Sequence, residues 1–311
     1  MKKITVLFGL TFLAVLWLGA QEIKVLDTVI IPTEQNNYTA PQFSPDGEKI
    51  LFTQFGFKGL WLYDLSKKSL SQINDYTGAG YEPVFTADGK QLVFRIDEYV
   101  KMRKYSTLAI QTIGDKKIEY LTEKMRYLSP ATLVNNIMLV FRENKAVKVI
   151  NASNNEKIQS SVIHETYGYI EKQNIVLLIN GERKELRPID NGDYIWFSLS
   201  PDKTKMVFTV VGGSTYIADT EGNILTMLGR ANAPKWSPDG KWILYMIDED
   251  DGHVVISSDI WAARVDGKTR IQLTKTNDIH EMYPAWSPSR DKIVYETNSG
   301  QIVFMNISIT D

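Results

Sequence analysis

A chain of 311 residues, 43% hydrophobic and 23% charged, has the material for a sizeable core and is not an intrinsically disordered protein. Its formal net charge of −2 gives no electrostatic reason to expect nucleic acid or an anionic membrane surface as a partner. It has no cysteine, which excludes disulfides, a lipidated cysteine, a thiol nucleophile and thiolate metal ligands.

The first twenty residues, MKKITVLFGLTFLAVLWLGA, place Lys2 and Lys3 before an apolar run from Ile4 to Leu18, with Gly19 and Ala20 after it. This is the layout of a secretory signal peptide, residues 1–20, cut after Ala20. Leu18 is larger than the small residue favoured three positions before a cleavage point, so an uncleaved anchor is the alternative. No later stretch is apolar enough to span a membrane, and residues 21–311 are expected to form one domain in the periplasm or outside the cell. The strand-like run IKVLDTVII follows from Ile23.

A repeat then begins. APQFSPDGEKILF from Ala40, EPVFTADGKQLVF from Glu82, FSLSPDKTKMVF from Phe197, APKWSPDGKWILY from Ala233 and YPAWSPSRDKIVY from Tyr283 are near-copies. Two weaker copies open at Arg126 (RYLSPATLVNNIMLVF) and Thr166 (TYGYIEKQNIVLLI). Each runs from an aromatic or apolar residue through a turn cluster into a β-branched and aromatic stretch, which is strand, tight turn, strand. Two further short strands follow most copies, as in LWLYDLS then SLSQI after Gly59, or DIWAARV then RIQL after Ser258. The unit is thus a four-stranded antiparallel meander, and radial repetition of such units is the pattern of an all-β propeller. Seven units are countable; the fourth, residues 166–190, is short for four strands, so six or seven blades are expected. IKVLDTVII is placed to supply the outer strand of the last blade and close the ring.

These repeats resemble those of the TolB-type, or WD40-like, propellers, in which SPDG joins the first two strands of a blade. The resemblance covers nearly all of the chain after the leader. It implies the propeller alone, without the separate domain that precedes it in TolB proteins. The same repeat type forms the propeller of prolyl oligopeptidase-like enzymes, but no hydrolase domain is expected here.

The turn residues have structural chemistry. In Ser237-Pro238-Asp239-Gly240 the proline fixes φ, the aspartate bonds nearby backbone and the glycine accepts positive φ. The same holds for Ser44, Pro45, Asp46 and Gly47, for Asp88 and Gly89, for Pro201 and Asp202, and for Ser287 and Pro288. A nucleophilic Ser237 would need a base, and no histidine recurs beside the motif. The aromatics before the turns, Phe43, Phe85, Trp236 and Trp286, are expected to pack between blades.

Function is therefore sought on the opposite face, among the segments that join second to third strands and blade to blade. RIDEYVKMRKY, NDYTGAGYEP, IDEDDGHVVISSD and KTNDIHEMYP read as long irregular loops there. They contribute Glu82, Arg95, Asp251, His253, Asp259, His280, Glu281 and Tyr283 as candidate binding residues, with Tyr194, Trp196 and Arg230 near the central mouth. His164, His253 and His280, the only three histidines, are candidate ligands for a divalent metal, although no HExxH or EF-hand spacing supports one and no cofactor is expected. The leading expectation is a non-catalytic, monomeric envelope propeller that binds a protein or peptide, with no nucleic acid. The alternative, implied by lyases of similar repeats, is metal-assisted cleavage of an extracellular acidic saccharide.

Overall fold

The computed structural model describes residues 22–136, 138–144, 146–152, 154, 156–158 and 165–310. The leader, residues 1–20, and His164 lie outside the described residues. No described helix is long and apolar enough to cross a membrane.

β1 (Glu22–Ile30) precedes the first blade, which is β2 (Tyr38–Phe43), β3 (Lys49–Gln54), β4 (Lys58–Asp64) and β5 (Ser69–Thr77). The second blade is β6 (Val84–Phe85), β7 (Gln91–Val100), β8 (Arg103–Thr112) and β9 (Ile118–Tyr120). The third is β10 (Thr132–Val134), β11 (Met138–Glu143), β12 (Ala146–Asn151) and β13 (Lys157–Ile158). The fourth has three described strands, β14 (Tyr167–Glu171), β15 (Asn174–Ile179) and β16 (Glu182–Leu186). β17 (Tyr194–Leu199), β18 (Lys205–Val210), β19 (Thr215–Asp219) and β20 (Ile224–Gly229) make the fifth. β21 (Asn232–Trp236), β22 (Trp242–Asp250), β23 (Val255–Arg264) and β24 (Arg270–Gln272) make the sixth. β25 (Glu281–Trp286), β26 (Lys292–Thr297) and β27 (Ile302–Thr310) form the seventh, and β1 completes it by pairing antiparallel with β27.

The count is seven, and the short fourth unit is a blade of its own. Its chain leaves β16 into Arg187-Pro188, and proline has no N–H to offer a fourth strand. Instead the Tyr194 hydroxyl donates to the Ile189 carbonyl (2.7 Å) and accepts from the Ile189 amide (3.1 Å), fastening the connection to the fifth blade.

The core is distributed. Buried side chains gather in seven clusters, each shared by two adjoining blades, and the seven close a ring. Phe43 packs with seventh-blade residues, Phe85 with the first blade, Trp286 with the sixth and Trp236 with the fifth. Each first-strand aromatic thus reaches back to the preceding blade.

The SPDG turn is built around its serine, which is buried. The Ser237 hydroxyl donates to Asp239 (2.6 Å) and accepts from the Trp242 amide (2.9 Å), while Asp239 accepts from the Lys241 amide (3.2 Å). Ser44 with Asp46, Thr86 with Asp88 and Ser200 with Asp202 repeat the arrangement. In the seventh blade the sequence is SPSRD, and Asp291 takes the aspartate's place, accepting from Ser287 and Ser289. Successive turns also touch: Gly240, at φ +70°, lies where an added Cβ would be 3.6 Å from Pro201 of the preceding blade, and Arg290 bonds Asp239.

Closure between the seventh and first blades has a polar element. Glu296 of β26, 3% exposed, accepts hydrogen bonds from the Thr39 hydroxyl (2.7 Å) and the Ala40 amide (2.6 Å) of β2. Burial pushes its carboxyl up to about 7 against those two bonds. Asp291 is shifted the other way: burial raises it, but hydrogen bonds from Lys292, Ser289 and Ser287 outweigh burial and bring it down to about 2.

These shifts give stability a dome in pH. The unfolded chain releases the Glu296 proton near 4.5 and the folded chain near 7, so stability is greatest below that window and falls as pH rises through it. Asp291 contributes stability above its ordinary 3.8 that is lost as pH falls towards about 2. Urea unfolding across this range should show both slopes, and Glu296→Gln, which keeps an acceptor for Thr39 and Ala40, should flatten only the upper one. An unchanged upper slope in the variant would contradict this assignment.

Candidate functional site

The two faces of the ring differ in what they expose. The SPDG turns and the third-to-fourth strand turns share one face, and the second-to-third strand hairpins with the blade connections share the other. Among the described residues, the exposed large hydrophobic side chains lie on outer strands or on this second face, apart from Trp196 and Tyr283 on innermost strands. At hairpin tips these are Phe55 and Phe57 of the first blade, Tyr99, Val100 and Met102 of the second, Val211 of the fifth, and Val254 and Ile256 of the sixth.

Two of the four segments read as irregular loops are not loops. RIDEYVKMRKY is the paired end of β7 and β8, closed by Lys101 and Met102, whose φ values of 47° and 61° form a two-residue hairpin turn. IDEDDGHVVISSD is likewise the extended hairpin of β22 and β23. Both project as strands because their partners continue the ladder, although at the tips, residues 98–104 and 249–254, every residue is exposed and the alternation expected of a strand is lost.

Between the first and second blades this face holds a cavity of about 360 Å³, lined by Gly56, Phe57, Thr77, Gly78, Tyr81, Arg95, Asp97, Tyr99 and Lys104. Arg95, 8% exposed, lies over the Tyr81 ring at 4.5 Å, and Phe57 meets that ring edge-on at 5.2 Å. Asp97 is the counter-charge: Arg95 Nε is 2.9 Å away, Lys104 Nζ 3.5 Å, and the Ser106 hydroxyl donates to it at 2.6 Å. The Nε–H of Arg95 is not aimed at that carboxylate and makes no hydrogen bond. The backbone comes close here too, since a Cβ on Gly78 would lie 2.5 Å from the Asp97 carboxyl carbon.

The innermost strands carry a repeated irregularity. Ala40, Glu82, Trp196, Ala233 and Tyr283, equivalent in their repeats, all have φ between 49° and 53°. Such a kink is uncommon for residues with a Cβ and re-aims the side chain. It leaves Trp196 and Tyr283 exposed on innermost β17 and β25, and Glu82 exposed just ahead of β6. Lys235, exposed on innermost β21 yet ringed by protein, is held below its ordinary value by desolvation, with the Glu82 charge acting against that shift.

The other candidates occupy separate places. Arg230 is 3.8 Å from Asp250; Asp251 accepts from the amides of His253 (2.9 Å) and Val254 (2.9 Å), which makes it a turn residue. Asp259 accepts from Gln272 (3.1 Å). Glu281 is 2% exposed, accepts from Thr276 (3.0 Å) and is raised by burial, with Asp259 adding to the shift. Tyr194 is buried as described. Tyr194 and Glu281 are therefore not presented to a partner. His253 is exposed at a hairpin tip, His280 is half-buried at the entry to β25, and no group of three or more His, Asp or Glu placed to hold a metal occurs among the described residues.

Sequence reasoning passed over Asp97, Phe57 and Glu296. The signal was there for the last. Thr53, Arg95, Arg142, Thr209, Met246 and Glu296 occupy one register position of the second strand, where side chains meet the next blade or the mouth of their own. Glu296 takes the Ala40 amide, Met246 sulfur faces the equivalent Tyr283 amide at 3.5 Å, and Arg142 lies over the Tyr169 ring at 4.3 Å.

No family model matches the chain. The Tol-Pal system protein TolB of Francisella tularensis subsp. holarctica (strain OSU18) is 23% identical over 273 residues, 84% of this chain and 56% of that protein. The chain thus spans about half the length of the curated TolB relatives it matches. Among solved structures, TolB from Acinetobacter baumannii has a TM-score of 0.53 at 19% identity, covering 83% of this chain and 59% of that one. The WD40 repeats of RRP9 have a TM-score of 0.67 at 11% identity, covering 92% and 100%.

The charge arrangement around Asp97 sets two unequal mutational effects. Asp97→Ala strands the buried Arg95 and should cost about 3 kcal/mol. Lys104→Ala removes a half-exposed partner and should cost less than about 1 kcal/mol. Urea denaturation of the two variants measures both; equal costs would contradict the account of Asp97 as the counter-charge.

Proposed function

We propose that this TolB-like propeller is an exported, non-catalytic scaffold of the cell envelope that binds a protein or peptide partner through its long-loop face. One observation carries the reading: of the two faces of the ring, this one raises exposed apolar side chains at its hairpin tips while the SPDG face exposes turn prolines and polar groups, the other exposed apolar residues lying largely on outer strands such as β1 and β20. Isolated exposed apolar residues are ordinary, but tips from the first, second, fifth and sixth blades raised together on a rigid ring offer a partner a common surface. Similarity to TolB supports the envelope and the protein-binding role, because the relatives it matches are Tol-Pal system proteins. The sequence of the leader supports export.

In this reading the contact residues are the hairpin tips together with Trp196 and Tyr283 on innermost strands and Glu82 just ahead of β6. A partner crosslinked to the wild-type chain in an envelope preparation should be lost with Met102→Asp combined with Val254→Asp, with thermal unfolding unchanged. Asp239→Ala on the opposite face should retain the partner and lower the melting temperature. Retention of the partner by the double variant would overturn the assignment of the face.

A further inference from the structure

We infer that the cavity between the first and second blades is a binding site for an acidic side chain of a polypeptide, seated beside an aromatic or aliphatic residue of the same segment. The proposal rests on the long-loop reading above and names the chemistry of its partner. Its walls are of two kinds. Phe57, Tyr81 and Tyr99 are aromatic, and Arg95 and Lys104 bring two positive charges against the single negative charge of Asp97. The lining therefore carries one net positive charge in a chain whose total is −2.

The positive charge is partly available. Arg95 is buried and committed to Asp97, with Nε 2.9 Å from one carboxylate oxygen and Nη2 donating to the other at 3.3 Å, so the available charge is that of Lys104, which is 3.5 Å from Asp97 with its side chain 41% exposed. A single surplus charge matches a carboxylate better than a phosphate dianion. The volume of about 360 Å³ takes an acidic side chain and part of its neighbour. The rim selects between sources of that carboxylate. Phe55, next in the chain to the lining residue Gly56, and Val100 and Met102, at the tip of the hairpin that supplies Tyr99 and Lys104, add exposed aliphatic and aromatic surface, Met102 being 98% exposed. That suits the apolar residues of a peptide and leaves the hydroxyls of a uronic-acid chain without partners.

The test is selection of a phage-displayed random 12-residue peptide library on the purified chain, followed by fluorescence polarisation with the enriched peptides, and with labelled trigalacturonate as a second probe. Enriched peptides should share an Asp or Glu next to an aromatic or aliphatic residue. Replacing that acid by its amide, or Lys104 by Gln, should each weaken binding roughly tenfold, while Lys104→Arg retains it. Thermal unfolding of each variant confirms that it is folded. Failure to enrich any peptide, enrichment without an acid, or undiminished binding to Lys104→Gln would overturn the proposal. Trigalacturonate binding that depends on Lys104, with no peptide enriched, would overturn it in favour of a saccharide. An envelope partner that Lys104→Gln captures normally but Met102→Asp with Val254→Asp does not would remove the pocket and leave the scaffold reading standing.

Discussion

The structure depends on apolar packing between neighbouring blades. A blade of three or four short strands has two faces and no interior, so each of its faces must be covered by another blade, and only a closed ring covers them all. Seven shared clusters accomplish this, with Trp242, Tyr245, Phe52, Phe94 and Phe208 fully buried among them. The ring closes twice over between its ends: β1 pairs along β27, and Glu296 receives the Thr39 hydroxyl and the Ala40 amide. A carboxylate at that seam is an unusual choice, since Met246 stands at the equivalent seam between the sixth and seventh blades. Its burial ties closure at this seam to the protonation of one carboxyl.

Rigidity from this packing separates two kinds of residue that look alike in the sequence. Ser237 and Asp239 suggest chemistry when met in a row, but the serine is buried and its hydroxyl ties the aspartate to the following strand. That network recurs in the first, second, fifth and seventh blades because those blades share the same turn. Arg95 and Asp97 have no such recurrence as a pair. They sit where a second strand runs past the edge of the core and meets the hairpin of the neighbouring blade, and there the fold constrains side-chain identity least.

Much of the fold was legible in the sequence for a physical reason: the turn needs proline, aspartate and glycine at fixed offsets, and the following strand needs a buried apolar run, so the period is written in the residues. The N-terminal strand was legible because IKVLDTVII has no other edge to pair with. The fourth blade was ambiguous because its missing strand is replaced by a connection held through Tyr194, which no periodicity announces. The long hairpins were misread as loops because DEDD and EYVKMRK stand beyond the core, where strands lose the alternation that marks them. The cavity was hidden most thoroughly. Phe57, Tyr81 and Asp97 come from different segments, and only their approach across a blade boundary makes them one site.

The central claim is that the ring carries its recognition on the face of the long hairpins and uses the opposite face for structure. Lysines mark both sides. Lys101, Lys104 and Lys275 lie on the hairpin face, and Lys49, Lys90, Lys205 and Lys292 lie beside the turns. Amine-directed crosslinking of the chain to its captured partner, read by mass spectrometry, tests the claim most directly. The account predicts intermolecular crosslinks from the first group and none from the second; crosslinks concentrated at Lys49, Lys90, Lys205 and Lys292 would contradict it.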